Sequence, residues 1–310
     1  MNRNHHRYLF LSMLTSLTFG LAPLAQAQTN SLGLEPGLNL LSFGDFIASS
    51  SDVQGHVAVA GNASITAYSI NTVNGSQASY SGTGLAVGGN LTFSNGSVWG
   101  NTVVGGGLIN GSGATFHGST QFGASSAQLG VNFAAEQLRL AGLSQSLDGL
   151  TNTGAGTLLG GNTFAFDANG ANLAVFDLAS SDVLKNLRLD NLGTNTTVIL
   201  NVHGQTIDFG PSHGYDNFAR GRVLFNLPDA TLVTFTGGVS ASFLAPLAQF
   251  NGSWGAINGQ VVVGSWNGTT QVNDAPFAGN IAAVPEPETY ALMLAGLMMV
   301  VGVARRRSAV

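Results

Sequence analysis

Ala58-Val59-Ala60-Gly61-Asn62-Ala63-Ser64-Ile65 returns at an offset of 28 as Ala86-Val87-Gly88-Gly89-Asn90-Leu91-Thr92-Phe93, and at a further offset of 17 as Val103-Val104-Gly105-Gly106-Gly107-Leu108-Ile109. The unit is a short strand, a glycine corner and a second short strand. Val57 and Val59, or Leu85 and Val87, stand two apart and project to one face of a strand, while the glycines permit a sharp change of direction. Unequal offsets exclude a strict repeat, but the unit persists. Coils stacked at about 4.8 Å set like residues over like, so each inward Val or Leu contributes about 1.5–3 kcal/mol by burial and corner Asn residues form hydrogen-bonded ladders. The spacing predicts an all-β solenoid of stacked coils. The longer first interval reads as an excursion from Tyr68 to Thr83, rich in Ser, Asn and Gly, of the kind that carries a solenoid's binding surface.

Outward from this core the rhythm changes once. Phe133, Leu140, Leu143, Leu147 and Leu150 fall near helical spacing between Val131 and Leu150, which predicts one amphipathic helix with Asn132 as N-cap and Glu136 suited to the dipole of its first turns. A lone helix in a glycine-rich β chain must lay its leucine stripe on something, and the flank of the solenoid is the expected place. Further short strands follow at Thr163–Phe166, Leu173–Leu178, Thr197–Val202 and Gln205–Phe209, then in the blocks starting at Arg222, Ser242 and Ile257.

Composition agrees. Charged residues make up only 8% of the chain and Gly contributes 43 positions, so the surface is finished with Asn, Ser, Thr and backbone. The 44% hydrophobic content supplies a core that a disordered glycine-rich chain lacks. Residues 28–283 carry thirteen acids against five bases (Arg139, Lys185, Arg188, Arg220, Arg222), a net charge of −8 that suits neither nucleic acid nor an anionic membrane. There is no cysteine, hence no disulfide, thiolate metal site or thiol nucleophile.

Both ends carry address signals. Arg3, His5, His6 and Arg7 precede an apolar stretch from Tyr8 to about Leu24 and then Ala25-Gln26-Ala27, the pattern of a secretory signal peptide over 1–27 with Gln28 as the mature start. At the other end Val284-Pro285-Glu286-Pro287 is followed by an apolar run from Tyr290 to Ala304 and by Arg305, Arg306 and Arg307. As a helix the run covers roughly 22 Å, enough to insert with the bilayer thinned around it, and the arginines stay cytoplasmic. This tail, 284–310, resembles the PEP-CTERM sorting signal, which implies processing by an exosortase, a membrane transpeptidase. That resemblance places the protein at the envelope surface or in the extracellular matrix of a Gram-negative bacterium, membrane-bound through the C-terminal helix before processing.

Gly44-Asp45 and Ser51-Asp52-Val53-Gln54-Gly55-His56-Val57-Ala58-Val59, with the later Leu224-Phe225-Asn226, Leu244-Ala245-Pro246 and Asn258-Gly259-Gln260-Val261, resemble the choice-of-anchor A family over roughly Gly33 to Gly279. The resemblance implies one right-handed parallel β-helix domain over 28–283 with an adhesive or structural role, and no catalytic residues to carry over.

Chemistry-bearing residues are sparse. His56, His117, His203 and His213 are scattered; His203 and His213 would make a metal site only by meeting Asp208 or Asp216 on neighbouring coils. Asp45 and Asp52 suit a general acid and base of a polysaccharide-cleaving β-helix, or turn and capping work beside Gly44 and Ser51. Calcium would use corner Asp, Asn and carbonyl oxygens, but no Asp-x-Asp-x-Asp loop is present. Trp99, Trp254, Trp266, Tyr68 and Tyr80 offer rings for sugar stacking or for ordinary packing. Eight Asn-x-Ser/Thr sequons, among them those at Asn62, Asn90 and Asn267, reflect Asn, Ser and Thr content or glycan acceptors. The expected function is a non-enzymatic adhesin or exopolysaccharide and biofilm matrix protein that meets extracellular polysaccharide or surface glycans. The alternatives are a polysaccharide-degrading β-helix enzyme using Asp45 or Asp52, and an ice-binding solenoid, for which the Thr194, Thr196 and Thr197 cluster supplies no ladder at coil spacing.

Overall fold

The computed structural model describes residues 32–75, 82–210 and 214–281. The signal segment with Ala25, Ala27 and Gln28, the tail with Val284, Pro285, Glu286, Pro287, Arg305, Arg306 and Arg307, and also Tyr80 and His213, lie outside the described residues. Among the described residues no helix is long and apolar enough to cross a membrane.

The described residues form an all-β, mostly parallel solenoid with one α-helix on its flank. Each full coil gives one strand to each of three faces. On the first face the stack runs Thr120–Phe122, Asn101–Val104, Thr83–Val87, His56–Val59, Leu38–Ser42, Val261–Gly268, Ser242–Asn258, Val223–Asn226, Thr197–His203 and Leu173–Ala179, every neighbour parallel. The quoted repeat superposes as read: Val57 pairs with Leu85 and Ala86 with Val103.

The stack does not follow chain order. The first strand, Leu38–Ser42, pairs with the last long one through Leu40↔Val261, Leu41↔Val262 and Ser42↔Val263. The chain therefore enters mid-stack, winds one way to Phe122, returns along the flank as helix α1 (Phe133–Asp148), and winds back from Leu173–Ala179 to close against its own first coil. Side chains clamp this seam: Gln260 Nε2 donates to Leu38 O at 2.8 Å, and Asn39 Nδ2 donates to Gly259 O at 2.9 Å.

Inward residues alternate as predicted, with Leu40, Val57, Leu85 and Val261 buried in the solenoid core. On the first face the intervening residues are buried too. Leu41, Ala58, Ala86, Val175, Ile199, Leu224, Leu244 and Val262 form one outer cluster with Leu140 and Leu147 of α1 and the flanking Leu32, Leu34, Leu129, Phe277 and Ile281. A sheet covered on both sides reads as a continuous apolar run, which is why strict alternation fails there. The helix lies just inside the predicted span at both ends, and Asn132 caps it by accepting from the Ala135 N–H at 3.3 Å. The excursion from Tyr68 is narrower than expected: Tyr68 is buried, donates its hydroxyl to Thr270 O at 3.1 Å, and is followed by the strand Ser69–Ile70.

Candidate binding face

The second face of the solenoid is open to solvent and continuous. Its strands are Thr206–Phe209, residues 232–235, 249–252 and 265–268 of longer strands, Phe46–Ser49, Ala63–Thr66, Leu91–Ser94 and Leu108–Asn110. Period-two alternation decides what it shows. Ile207, Val233, Phe250, Trp266, Phe46, Ala63 and Leu91 turn inward and are buried. Between them one outward row runs Asp208, Thr234, Asn251, Asn267, Ile47, Ser64, Thr92 and Asn110, one residue per coil at about 4.8 Å. A flanking row continues as Ser49, Thr66 and Ser94.

These rows are small and hydrogen-bonding. Asp208 is the one charge among them, and Ile47, half exposed at 50%, is the apolar interruption. Neighbouring rungs hold one another: Thr234 Oγ1 donates to Asp208 Oδ1 at 2.5 Å and Ser94 Oγ to Thr66 Oγ1 at 3.2 Å, while within one strand Gln249 Nε2 donates to Asn251 Oδ1 at 3.1 Å. At the corner before this face an asparagine ladder forms as predicted. Asp45 Oδ1 accepts from Asn62 N at 2.8 Å, Asn62 Oδ1 from Asn90 N at 2.9 Å, and Asn90 Oδ1 from Gly107 N at 3.0 Å. The result is a face of donors and acceptors repeating once per coil, suited to a repeating polar surface.

A family model described as "Putative Ice-binding-like adhesive domain" matches residues 33–274. The chain belongs to this family. No curated protein matches the sequence. Among solved structures, this ice-binding-like adhesive domain is similar to an ice-binding protein from the Antarctic ascomycete Antarctomyces psychrotrophicus (14% identity, TM-score 0.38, 82% of this chain and 100% of that one). It is also similar to an ice-binding protein from an Antarctic biological consortium (10% identity, TM-score 0.33, 82% and 93%) and to one from an Antarctic bacterium, Flavobacteriaceae (15% identity, TM-score 0.29, 74% and 64%).

The other candidate residues of the adhesive domain have structural partners. Asp45 anchors the corner ladder, and Asp52 Oδ2 accepts from Thr72 Oγ1 at 2.8 Å, which is the turn and capping reading. Trp266 is buried, stacked on Phe250 at 5.1 Å and 5°, and Tyr68 is in the core, so neither offers a face to a sugar. Trp99 stacks on His117 at 4.8 Å and 6°; Trp254, 56% exposed, begins the third-face stretch 254–258, which pairs with 236–239 and with Gln271–Asn273, and keeps an open ring. Thr196 and Thr197 are buried, Thr196 Oγ1 donating to Ala171 O at 2.7 Å and Thr197 Oγ1 accepting from Asn280 N at 2.7 Å.

The pairing of His203 with Asp208 or Asp216 is not what forms. Asp208 faces out on the second face and Asp216 pairs in register with Arg188 in a separate four-stranded sheet, whereas His203 ends a first-face strand between Asp148, Asp177 and Asp229. Sequence reasoning also missed a buried ladder beneath α1. Ser144 Oγ donates to Asn226 Oδ1 at 2.6 Å, Asn226 Nδ2 to Asn201 Oδ1 at 2.9 Å, and Asn201 Nδ2 to Asp177 Oδ1 at 3.1 Å. Its signal was present in Val175-Phe176-Asp177, Ile199-Leu200-Asn201 and Leu224-Phe225-Asn226, two apolar residues and an amide or acid recurring once per coil.

Proposed function

We propose that this adhesive domain contacts hydrated polymer at the bacterial surface, extracellular polysaccharide or cell-surface glycan, through the second face. The observation that carries the reading is the run of Thr, Ser and Asn rungs across eight parallel strands, with Asp208 the one charge and Ile47 the one apolar rung. Each rung contributes a weak hydrogen bond that water also makes, so affinity comes from many rungs engaging one polymer at once. Asp45 and Asp52 are taken up in structural hydrogen bonds, which supports an adhesive rather than a hydrolytic role.

On the same reading residues 1–27 direct export, 28–283 form the displayed domain, and 284–310, with its resemblance to the PEP-CTERM signal, passes the chain to an exosortase. The overlap of the choice-of-anchor A resemblance with the matched adhesive family over residues 33–274 supports this assignment of the middle segment. Sedimentation with exopolysaccharide from the producing cells tests the contact surface: the native chain co-sediments, and a chain carrying Ser64→Tyr and Thr92→Tyr does not.

A second reading, ice as the repeating surface, is favoured by the regular once-per-coil repeat of the same rows. Thermal hysteresis separates the two. Activity lost with the Ser64 and Thr92 changes supports ice; its absence alongside polymer binding supports the adhesin.

A further inference from the structure

The end of α1 meets three coils at a cluster that the flat face does not use. We propose that His203 Nε2, Asp148 Oδ1 and Asp177 Oδ1 form a divalent transition-metal site, best suited to Zn²⁺, that ties the helix C-terminus to the solenoid. The three ligand atoms lie within 4.8 Å of one another, with His203 Nε2 3.5 Å from Asp148 Oδ1 and 3.9 Å from Asp177 Oδ1. A tetrahedral ion with bonds of about 2.0–2.1 Å sets its ligands roughly 3.3 Å apart, so small side-chain rotations close the set and leave a fourth position for water.

Three observations point to a cation. First, Asp148 Oδ1 is wholly enclosed and has no hydrogen-bond partner, which costs free energy unless something positive completes it. Second, Asp148 is the last residue of α1, where the helix dipole is negative, and Asp177 and Asp229 stand nearby. Among the described residues none of these carboxylates has a Lys or Arg in ion-pair contact; His203 alone opposes them. Third, the groups behind the ligands are placed as metal sites require. Asp229 Oδ2 lies 3.6 Å from His203 Nδ1, on the ring nitrogen away from the ion, and Asp177 is oriented by Asn201 Nδ2 at 3.1 Å and Asn152 Nδ2 at 2.5 Å. One imidazole with two carboxylates suits Zn²⁺ or Co²⁺ better than Ca²⁺, which takes oxygen ligands alone.

The test uses the full chain, stripped with chelator and desalted. Titration with Zn²⁺ in a calorimeter is expected to give one site, and the thermal midpoint is expected to rise with Zn²⁺ but not with equal Ca²⁺. His203→Gln and Asp148→Asn are expected to weaken that site more than a hundredfold, and Asp229→Asn, a positioning change, about ten- to a hundredfold. Because His5 and His6 offer imidazoles of their own, a His5→Ala, His6→Ala chain serves as reference and must keep the site. Co²⁺ added to that unaltered site is expected to give the intense visible absorption of tetrahedral cobalt, a readout independent of whether any variant folds. Absence of the Co²⁺ spectrum, or Zn²⁺ binding that His203→Gln leaves unchanged, overturns the proposal.

Discussion

The side-chain oxygen of Asn62 accepts the backbone N–H of Asn90, one coil away, at 2.9 Å. Asp45 does the same for Asn62, and Asn90 for Gly107, so one corner of four successive coils is stitched by side chains of a single type of geometry. Gly61, Gly89 and Gly106 stand beside these oxygens, where a Cβ would collide with Asp45, Asn62 and Asn90 respectively.

This stitching makes Asp45 informative. Asn at position 45 still presents an oxygen to Asn62 N, so Asp45→Asn is expected to change stability by less than about 0.5 kcal/mol in urea unfolding. Asp45→Ala removes the acceptor and is expected to cost about 1 kcal/mol, the ordinary net value of one hydrogen bond. A large loss from Asp45→Asn would show that the carboxylate charge, rather than its oxygen, is what the corner needs.

The buried ladder under α1 is more demanding. Asn226 both accepts from Ser144 Oγ and donates to Ser144 O at 2.8 Å and to Asn201. Asn226→Leu keeps the volume but strands these partners without water, so a loss of about 2–4 kcal/mol is expected. Replacing Ser144 and Asn226 together, by Ala and Leu, is expected to cost less than the sum of the single changes. A double-mutant cycle read by urea unfolding checks both statements.

Backbone geometry gives a third contrast. Gly255 has φ +96° inside the long strand, and a Cβ there would run into Gly237 O across the sheet; Gly170 has φ +69° with open space around it. Gly170→Ala is expected to cost about 1 kcal/mol for the left-handed conformation alone. Gly255→Ala must also push a pair of hydrogen-bonded strands apart and is expected to cost at least about 3 kcal/mol, measured as the difference in unfolding free energy.

Much of this was legible along the chain. Val57, Val59, Leu85 and Val87 reported the strand period, Asn62 and Asn90 the corner, and Asn132 the helix cap, because each depends on neighbours within a few residues or on a repeat. Residues whose surroundings come from elsewhere were not legible. Leu41, Ala58 and Ala86 are buried on the outer side in one cluster with Leu32, Leu34, Leu129 and the leucines of α1, all brought there from elsewhere in the chain. The partners of His203 stand one coil before and one coil after it, at Asp177 and Asp229, and at the end of the helix, so the expected neighbours Asp208 and Asp216 were the wrong ones. In a solenoid the spatial neighbour is a coil away, and the seam between Leu40 and Val261 is set by the whole path of the chain.

Two half-buried groups give stability opposite dependences on pH. Burial lowers the His56 pKa below its ordinary 6.5, so the folded state resists its protonation. Its contribution is present above 6.5 and is lost as pH falls through the lowered value. Burial raises the Asp274 pKa above 3.8, against the pull of Arg220, so its contribution is present below 3.8 and is lost as pH rises through the raised value. His56→Gln is therefore expected to flatten the stability curve just below pH 6.5, and Asp274→Asn to raise stability at neutral pH. Urea unfolding at a series of pH values reads both.

The flat face is where binding and stability should separate most cleanly. Ser64 and Thr66 are exposed and Thr92 and Ser94 half-buried; their side chains point away from a core formed by Ala63, Ile65, Leu91 and Phe93. Aromatic residues are well tolerated on strands, so Ser64→Tyr with Thr92→Tyr is expected to move unfolding free energy by less than about 0.5 kcal/mol. The same pair raises a ridge across two adjacent rungs and breaks the plane that a polymer must lie on. Since avidity multiplies rung by rung, polymer retention on a column is expected to fall at least tenfold for this doubly altered chain. Trp254→Ala, which removes the open ring on the third face, is expected to leave retention unchanged. The reverse pattern, binding that survives both tyrosines and vanishes with Trp254→Ala, would move the contact surface to the third face and make ring stacking its basis.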